Sequence, residues 1–420
     1  MAGSEFKPYT SKGVRAFTCP NCGGKVEVRA PGQSLTAVCG FCRAIIDPND
    51  PNHKVLQTAQ DNKKRDPKIP LGHRGEIEGK VWECVGFMVR RNLKYSHDWE
   101  EYLLFNPVHG FRFLIYDSGH WTLSKSTLTP AKRGRNRSYV SIHGEHFKRF
   151  VAGKARVMYV EGEFFWEVKR GDEVDTVDYV KPPYMLSVEH SGNEEHWALG
   201  EYMQPAAVKG SFGKEAKIGW KSGVGANQPN PAAPKLKQIV PVWAILMVVL
   251  TVLQFGFLGT SSNKQIFEKS GSIRLAQDTL PPDTLIIDGR ISNLEVFLNS
   301  NVSNMWVEME GLLTATEGER QYGFMVDNSY YSGVSGGESW TEGSRRKTRV
   351  MNNVEPGKYV LKMVAYTGVL PSSPSIQYKL QVKRDVPIWS NYFFFITILS
   401  LPVIILFIWQ SSFESQRWES

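Results

Sequence analysis

The chain has 420 residues, with 50 Lys+Arg against 42 Asp+Glu, a formal charge of +8 and a pI near 9.0. That length allows two or three domains plus linkers. The basic balance would suit a nucleic-acid binder, but 41% hydrophobic residues and two long apolar runs account for it more simply as a positive bias on one side of a membrane, which argues against nucleic acid as a partner.

Residues 1–17, MAGSEFKPYTSKGVRAF, contain no apolar stretch of the signal-peptide kind, so targeting is expected to fall to a later segment. Cys19-Pro20-Asn21-Cys22-Gly23-Gly24 and Cys39-Gly40-Phe41-Cys42 form two CxxC knuckles with sixteen residues between Cys22 and Cys39. At that spacing four thiolates surround one tetrahedral metal, and Cys19, Cys22, Cys39 and Cys42 are the expected ligands of one structural Zn2+. A redox dithiol would need a thioredoxin-like frame that nothing here suggests. Four thiolates also leave no open position for catalysis. Lys25–Arg29 alternates as a strand, with Ser34–Val38 as its expected partner, so 1–47 reads as a zinc ribbon. Cys84 lies outside the pattern, in Val81-Trp82-Glu83-Cys84-Val85, and reads as an inert buried thiol.

Residues 48–70 are polar and proline-rich and read as a linker. From 71 to 205 the pattern turns to short strands: Glu76–Val89, Glu101–Phe105, Phe111–Tyr116, Arg156–Val160 and Phe164–Val168. The echo of Ile77–Glu83 in Val160–Glu167 raises a duplicated, barrel-like β-unit. Glu189, His190, Glu194, Glu195 and His196 could bind a metal or move protons, but a solvated hairpin tip around Ser191-Gly192-Asn193 explains them without chemistry. His143 and His146 around Gly144 read the same way. The densest basic run holds Lys132, Arg133, Arg135 and Arg137, either a solvated loop or a contact for anionic headgroups or an acidic partner. Residues 206–238 return to low complexity and read as a flexible linker.

Ile239–Leu258 carries no formal charge over twenty residues, enough at about 1.5 Å each to cross about 30 Å of hydrocarbon. A second such run covers 388–410, leaving 411–420 as a tail. Residues 1–259 hold 35 Lys+Arg against 26 Asp+Glu, and 260–387 hold 14 against 14. All five cysteines and all nine histidines precede the first run. Both asymmetries predict a two-pass membrane protein with its two ends cytoplasmic and 260–387 outside. Trp389, Tyr392 and Trp409 sit where interfacial aromatics anchor a span, while Gln254, Gly256 and Pro402 suit helix pairing.

Seven strands are expected in the outer segment: Thr284–Ile287, Leu294–Leu298, Met305–Met309, Tyr322–Val326, Thr348–Met351, Tyr359–Tyr366 and Ile376–Val382. Their spacing predicts a β-sandwich of jelly-roll or immunoglobulin-like type. Tyr330-Tyr331 through Trp340-Thr341-Glu342-Gly343 reads as a glycine-rich loop on which Tyr330, Tyr331, Trp340 and Glu342 either stack on a ligand or pack against the sandwich. The predicted fold class is therefore mainly β with two transmembrane helices, a zinc ribbon, a β-rich cytoplasmic domain and an extracytoplasmic β-sandwich.

Gly75-Glu76-Ile77-Glu78-Gly79 with Trp82 and Gly86, Trp99 through Pro107, Gly110–Leu114, Gly119-His120-Trp121, Tyr159–Trp166, Pro182-Pro183 and Glu201-Tyr202 together resemble the uncharacterised bacterial domain-of-unknown-function family four-one-seven-eight. The likeness extends to the ribbon, both spans, the Tyr330–Gly343 segment and the end Phe413-Glu414 to Arg417-Trp418. What it implies is an architecture and a bacterial envelope setting, with relatives often encoded near polyamine-synthase-like, phage-shock-like and small membrane proteins. It implies no activity and offers no catalytic residues. The expected function is a non-enzymatic membrane-anchored adaptor or sensor that contacts the lipid bilayer and protein partners or further copies of itself. The rival classes are an accessory subunit of a channel or transport complex and an enzyme on 71–205.

Overall fold

The computed structural model describes residues 14–58, 64–134, 138–192, 194–368 and 375–419. The chain divides into two compact units, 1–237 with 404–420, and 238–403.

The first unit begins with β1 (Arg15–Thr18), β2 (Lys25–Val28), β3 (Thr36–Val38), β4 (Ile45–Ile46) and β5 (Val55–Gln57). Each knuckle closes a hairpin between its own flanking strands, β1 with β2 and β3 with β4. Ser34–Val38 is therefore not the partner of Lys25–Arg29. A CxxC turn reverses the chain within a few residues, so the nearest edge for pairing is the strand just left. In both knuckles the first cysteine's N–H bonds a carbonyl five residues on, Cys19 to Gly24 and Cys39 to Ala44.

Strands β6 (Arg74–Ile77), β7 (Lys80–Asn92), β8 (His97–Asn106), β9 (Gly110–Asp117) and β10 (His120–Thr127) follow as a meander. After β11 (Lys132–Arg133) and β12 (Tyr139–Ile142) comes β13 (Glu145–Phe164), then β14 (Glu173–Lys181), β15 (Tyr184–Ser191) and β16 (Glu194–Met203). The order β7-β8-β9-β10-β16-β15-β14-β13 closes because β13 also pairs β7, giving an eight-stranded barrel. The twenty-residue β13 reaches β14 with Lys148–Arg156 and β7 with Ala155–Gly162. At that crossing a Cβ on Gly162 would lie 2.2 Å from the Val85 carbonyl, and one on Gly86 2.5 Å from that of Glu163, so only glycine lets the strands meet.

Three expectations change here. Phe164–Val168 is not a strand, since β13 ends at Phe164 and the Phe165 and Trp166 rings turn onto Phe111 and Phe113. The supposed duplication is two different structures: Glu78-Gly79 makes a two-residue hairpin turn, whereas Gly162 sits inside β13. Over their described residues, neither expected linker is loose. The 48–70 segment supplies β5 and the fully buried Ile69. Residues 206–238 contain α1 (Pro205–Phe212) and a 3-10 turn at Gly213–Glu215, with Val208, Phe212 and Ala216 packed against Trp82, Tyr102 and Trp121 of the barrel wall.

The second unit holds most of α2 (Ala233–Thr260) and the first part of α3 (Ser390–Glu419), each helix long and apolar enough to cross a membrane. Trp243 Nε1 donates to Ser400 Oγ at 3.2 Å, the Thr251 and Tyr392 hydroxyls lie 3.1 Å apart, and Gln254 Nε2 donates to the Ile388 carbonyl at 3.3 Å. Rising numbers on one helix meet falling numbers on the other, so the pair is antiparallel and answers its own polar groups.

Between the helices lie β17 (Lys264–Ile273), β18 (Gln277–Ile287), β19 (Ser292–Ser300), β20 (Met305–Ala315), β21 (Gln321–Ser335), β22 (Glu338–Ser344), β23 (Arg346–Val354), β24 (Gly357–Thr367) and β25 (Ile376–Arg384). They form sheets β17-β25-β19-β23 and β18-β24-β20-β21-β22 around one core containing Val296, Leu298, Met309, Leu361 and Leu380. Strands β17 and β22 are additions to the seven expected. Strand β22 is exposed along its whole length, so no half-buried alternation marks it in the sequence.

Candidate metal centre and the contacts around the barrel

The ligand atoms of Cys19, Cys22, Cys39 and Cys42 all lie within 4.8 Å of one another. The Cys19–Cys42 and Cys22–Cys39 sulfur pairs are each 3.7 Å apart. A tetrahedron with metal–sulfur bonds of about 2.3 Å has edges of about 3.8 Å, so this thiol set fits one tetrahedral ion. Burial pushes the Cys19 thiol up to about 12. Burial also opposes ionisation of Cys42, yet the Asn21 amide at 3.3 Å and the Ala44 N–H outweigh it and bring that thiol down to about 6. Left to themselves the four thiols do not all ionise, whereas a divalent cation among them would favour four thiolates. Among the described residues no other group of three or more His, Cys, Asp or Glu is placed to hold a metal.

The cluster is joined to the barrel rather than tethered to it. Strand β3 pairs the end of β13 through Ala37–Glu163 and Thr36–Phe164. The Glu163 carboxylate, 2% exposed, accepts hydrogen bonds from the Arg29 and Ala30 N–H groups and the Ser34 hydroxyl. Burial still raises its pKa. Arg43, beside the second knuckle, pairs with Glu161 at 3.0 Å, and Arg29 with Glu83 at 2.9 Å.

Inside the barrel, Arg90 on β7 pairs with Glu101 on β8 and with Glu189 on β15, which is not a neighbouring strand, so the pair spans the lumen. Trp99 donates its indole N–H to Glu101 at 2.7 Å. Burial pushes Asp178 on β14 up to about 6, against a hydrogen bond from Ser187 and with the charges of Glu189, Arg90 and Glu101 close by. The polar cluster expected at a hairpin tip is indeed dispersed there. Glu189 serves the lumen, Glu195 pairs with Arg133 and lies 3.5 Å from His190, and His196 lies 3.6 Å from Glu194. His143-Gly144 is the turn between β12 and β13. Cys84 is fully buried, with its pKa raised by burial, which leaves it inert.

The strap that follows β16 runs on along the barrel. The Thr122 hydroxyl donates to Asn227 Oδ1 at 3.0 Å, and the Asn227 amide to the Pro183 carbonyl at 3.1 Å. His120 contacts the Tyr202 hydroxyl and the Ser222 carbonyl. Onto this strap the end of α3 is fastened by Arg417, 0% exposed, which donates to the carbonyls of Gly225, Ala226 and Gln228 and pairs with Glu414. The Asn230 amide donates to the Gln410 carbonyl and to Glu414. Nothing in the sequence marks Arg417 for this role, because its acceptors are backbone atoms about 190 residues away.

Lys132 and Arg133 lie exposed on β11, while Arg135 and Arg137 fall outside the described residues. The expected aromatic loop of the second unit is a β-hairpin closed by Gly336-Gly337, both with positive φ. Register puts Tyr331, Trp340 and Glu342 on one face and Tyr330 on the other, where the Arg345 guanidinium lies 4.0 Å over its ring. The Trp340 indole crosses Gly333, where a Cβ would come within 2.9 Å of it, yet Trp340 stays 45% exposed and Val334 73% exposed.

Residues 70–205 match the family model described as Domain of unknown function (DUF4178), so the barrel is a domain of that family. No curated protein matches the chain. Among solved structures, infectious bursal disease virus Gx strain is 9% identical, with 88% of this chain and 69% of that chain covered at a TM-score of 0.17. PNGF-II is 7% identical, covering 71% and 67%, and the delta-endotoxin Cry8Ea1 from Bacillus thuringiensis is 9% identical, covering 75% and 54%, both again at 0.17. Likenesses of that size carry no argument about fold or function.

Proposed function

We propose that this protein is a membrane-anchored adaptor or sensor of the bacterial cell envelope with no active site of its own. Both apolar helices cross the inner membrane, the ribbon, barrel and end of α3 lie in the cytoplasm, and the sandwich lies outside. The observation that supports this most directly is the seat of Arg417, since residues 1–237 and 404–420 fold as one unit. Two crossings return a chain to the side it left; a single crossing does not. The lysines ahead of α2, and thiols confined to the same unit, agree with a cytoplasmic position for it.

On this reading Cys19, Cys22, Cys39 and Cys42 hold one structural Zn2+ that fixes the ribbon against β13. Lys132, Arg133, Arg135 and Arg137 offer a basic contact to anionic headgroups or an acidic partner. Tyr331, Trp340 and Glu342 present the outer hairpin to a protein partner or a further copy of the chain. Sidedness is tested with Ser335→Cys: a membrane-impermeant maleimide is expected to label intact cells at that position. Labelling only after lysis refutes the arrangement. Metal analysis of the purified protein is expected to find about one zinc per chain, falling to background in Cys22→Ser.

A further inference from the structure

We propose that a phosphate-bearing anion binds in a cavity on the barrel rim beside the last turn of α3, held by Lys94, Lys148 and Arg149. The cavity has a volume of about 420 Å³, and these three cations line it together with Tyr95 and Phe150. Lys94 comes from the turn after β7, and Lys148 and Arg149 from β13. Lys148 and Arg149 are both exposed, and a bulge at Phe150, between Arg149 and Val151, bends the strand just beyond them.

Several other cations on this barrel are answered by carboxylates. Arg91 pairs with Asp98, Arg133 with Glu195, Arg156 with Glu173 and Lys181 with Glu145. Among the described residues Lys94, Lys148 and Arg149 have no carboxylate partner. Lys94 lies over the Tyr95 ring at 4.9 Å and Lys148 over the Trp418 ring at 3.7 Å. Three like charges gathered in one concavity repel each other and raise the local potential for an anion. An Arg fork beside two ammonium groups matches the several oxygens and multiple charge of a phosphate better than a single carboxylate. Phe150 meets Trp418 edge-on at 5.7 Å, so one lining residue of the cavity packs against the last turn of α3. The anion's source is either a phospholipid headgroup or a soluble phosphate compound, and the inference does not depend on which side of the bilayer the barrel lies.

Lysine acetylation footprinting of the full-length chain, read by mass spectrometry, tests the site in two arms. In nanodiscs of phosphatidylcholine alone, sodium pyrophosphate is added against sodium chloride of matched ionic strength. In the second arm, phosphatidylglycerol nanodiscs replace phosphatidylcholine without pyrophosphate. Slowing of Lys94 and Lys148 acetylation by about tenfold, with Lys125 unchanged, is expected in one arm and identifies the source. Arg149→Gln is expected to abolish that protection, and Lys125→Gln to leave it intact. The proposal is overturned if Lys94 and Lys148 are slowed no more than Lys125 in both arms, if sodium chloride protects equally, or if Arg149→Gln keeps full protection.

Discussion

Arg417 shows how one side chain can be decisive and still silent in the sequence. Its three carbonyl acceptors lie in a strap of glycine, alanine and glutamine that no motif would flag. The cysteines are the opposite case, because each pair sits within four residues, the spacing at which two thiolates can reach one tetrahedral metal. Replacing Arg417 by Ala strands those carbonyls and is expected to cost about 3 kcal/mol, with Arg417→Lys intermediate because it lacks the planar fork; thermal unfolding of the full chain would show the order. Asp178 gives a second measurable effect. Its folded-state pKa, near 6, is above the unfolded value near 3.8, so folding takes up a proton between them. The stability this contributes is fully present below about pH 4 and lost as pH rises through about 6. Asp178→Asn is therefore expected to flatten the stability profile across that window and to raise stability at pH 7; an unchanged profile counts against a buried acid in the lumen.

At the scale of elements, strands that alternate between buried and exposed residues were legible and those that do not were missed. Strands β19 and β24 bury every second residue under one core and match the expected Leu294–Leu298 and Tyr359–Tyr366 closely. The β21–β22 hairpin projects with little buried on either face, so its glycines and aromatics read as a loop. Gly336 and Gly337 make it a hairpin by supplying positive φ at both turn positions. Gly337→Ala is expected to destabilise the tip by about 1 kcal/mol and to speed amide exchange at Gly333–Trp340 while leaving the sandwich core protected. Equal loosening of the core would mean that the hairpin is part of the sandwich's folding unit. Of the long β13 only Arg156–Val160 is legible, because Gly153 and Gly162 interrupt its pattern on either side, although both are places where another chain segment comes close.

For the whole molecule, the existence of two β-rich parts and two apolar helices was legible, and barrel closure was not. Closure depends on β13 reaching β7, a pairing between residues some seventy positions apart. The ribbon and barrel were likewise expected as separate beads, because a polar, proline-containing stretch resembles a tether until β5 and Ile69 are seen in place. Stripping the metal should accordingly reach beyond the ribbon. Chelation at neutral pH is expected to expose 29–46 to protease and to lower the barrel's unfolding temperature, since Glu163 would lose the three donors that face it. A ribbon that melts while the barrel's transition stays unchanged would show the two to be independent.

The strap at Gly225–Gln228 also bears on assembly. Its closing residue is translated only after both apolar helices, so on the proposed two-pass topology the seat fills only once the second helix has crossed back. On that topology, a chain inserted the wrong way round would leave the carbonyls of Gly225, Ala226 and Gln228 without their guanidinium. On that topology the fold itself would report whether the second crossing had succeeded.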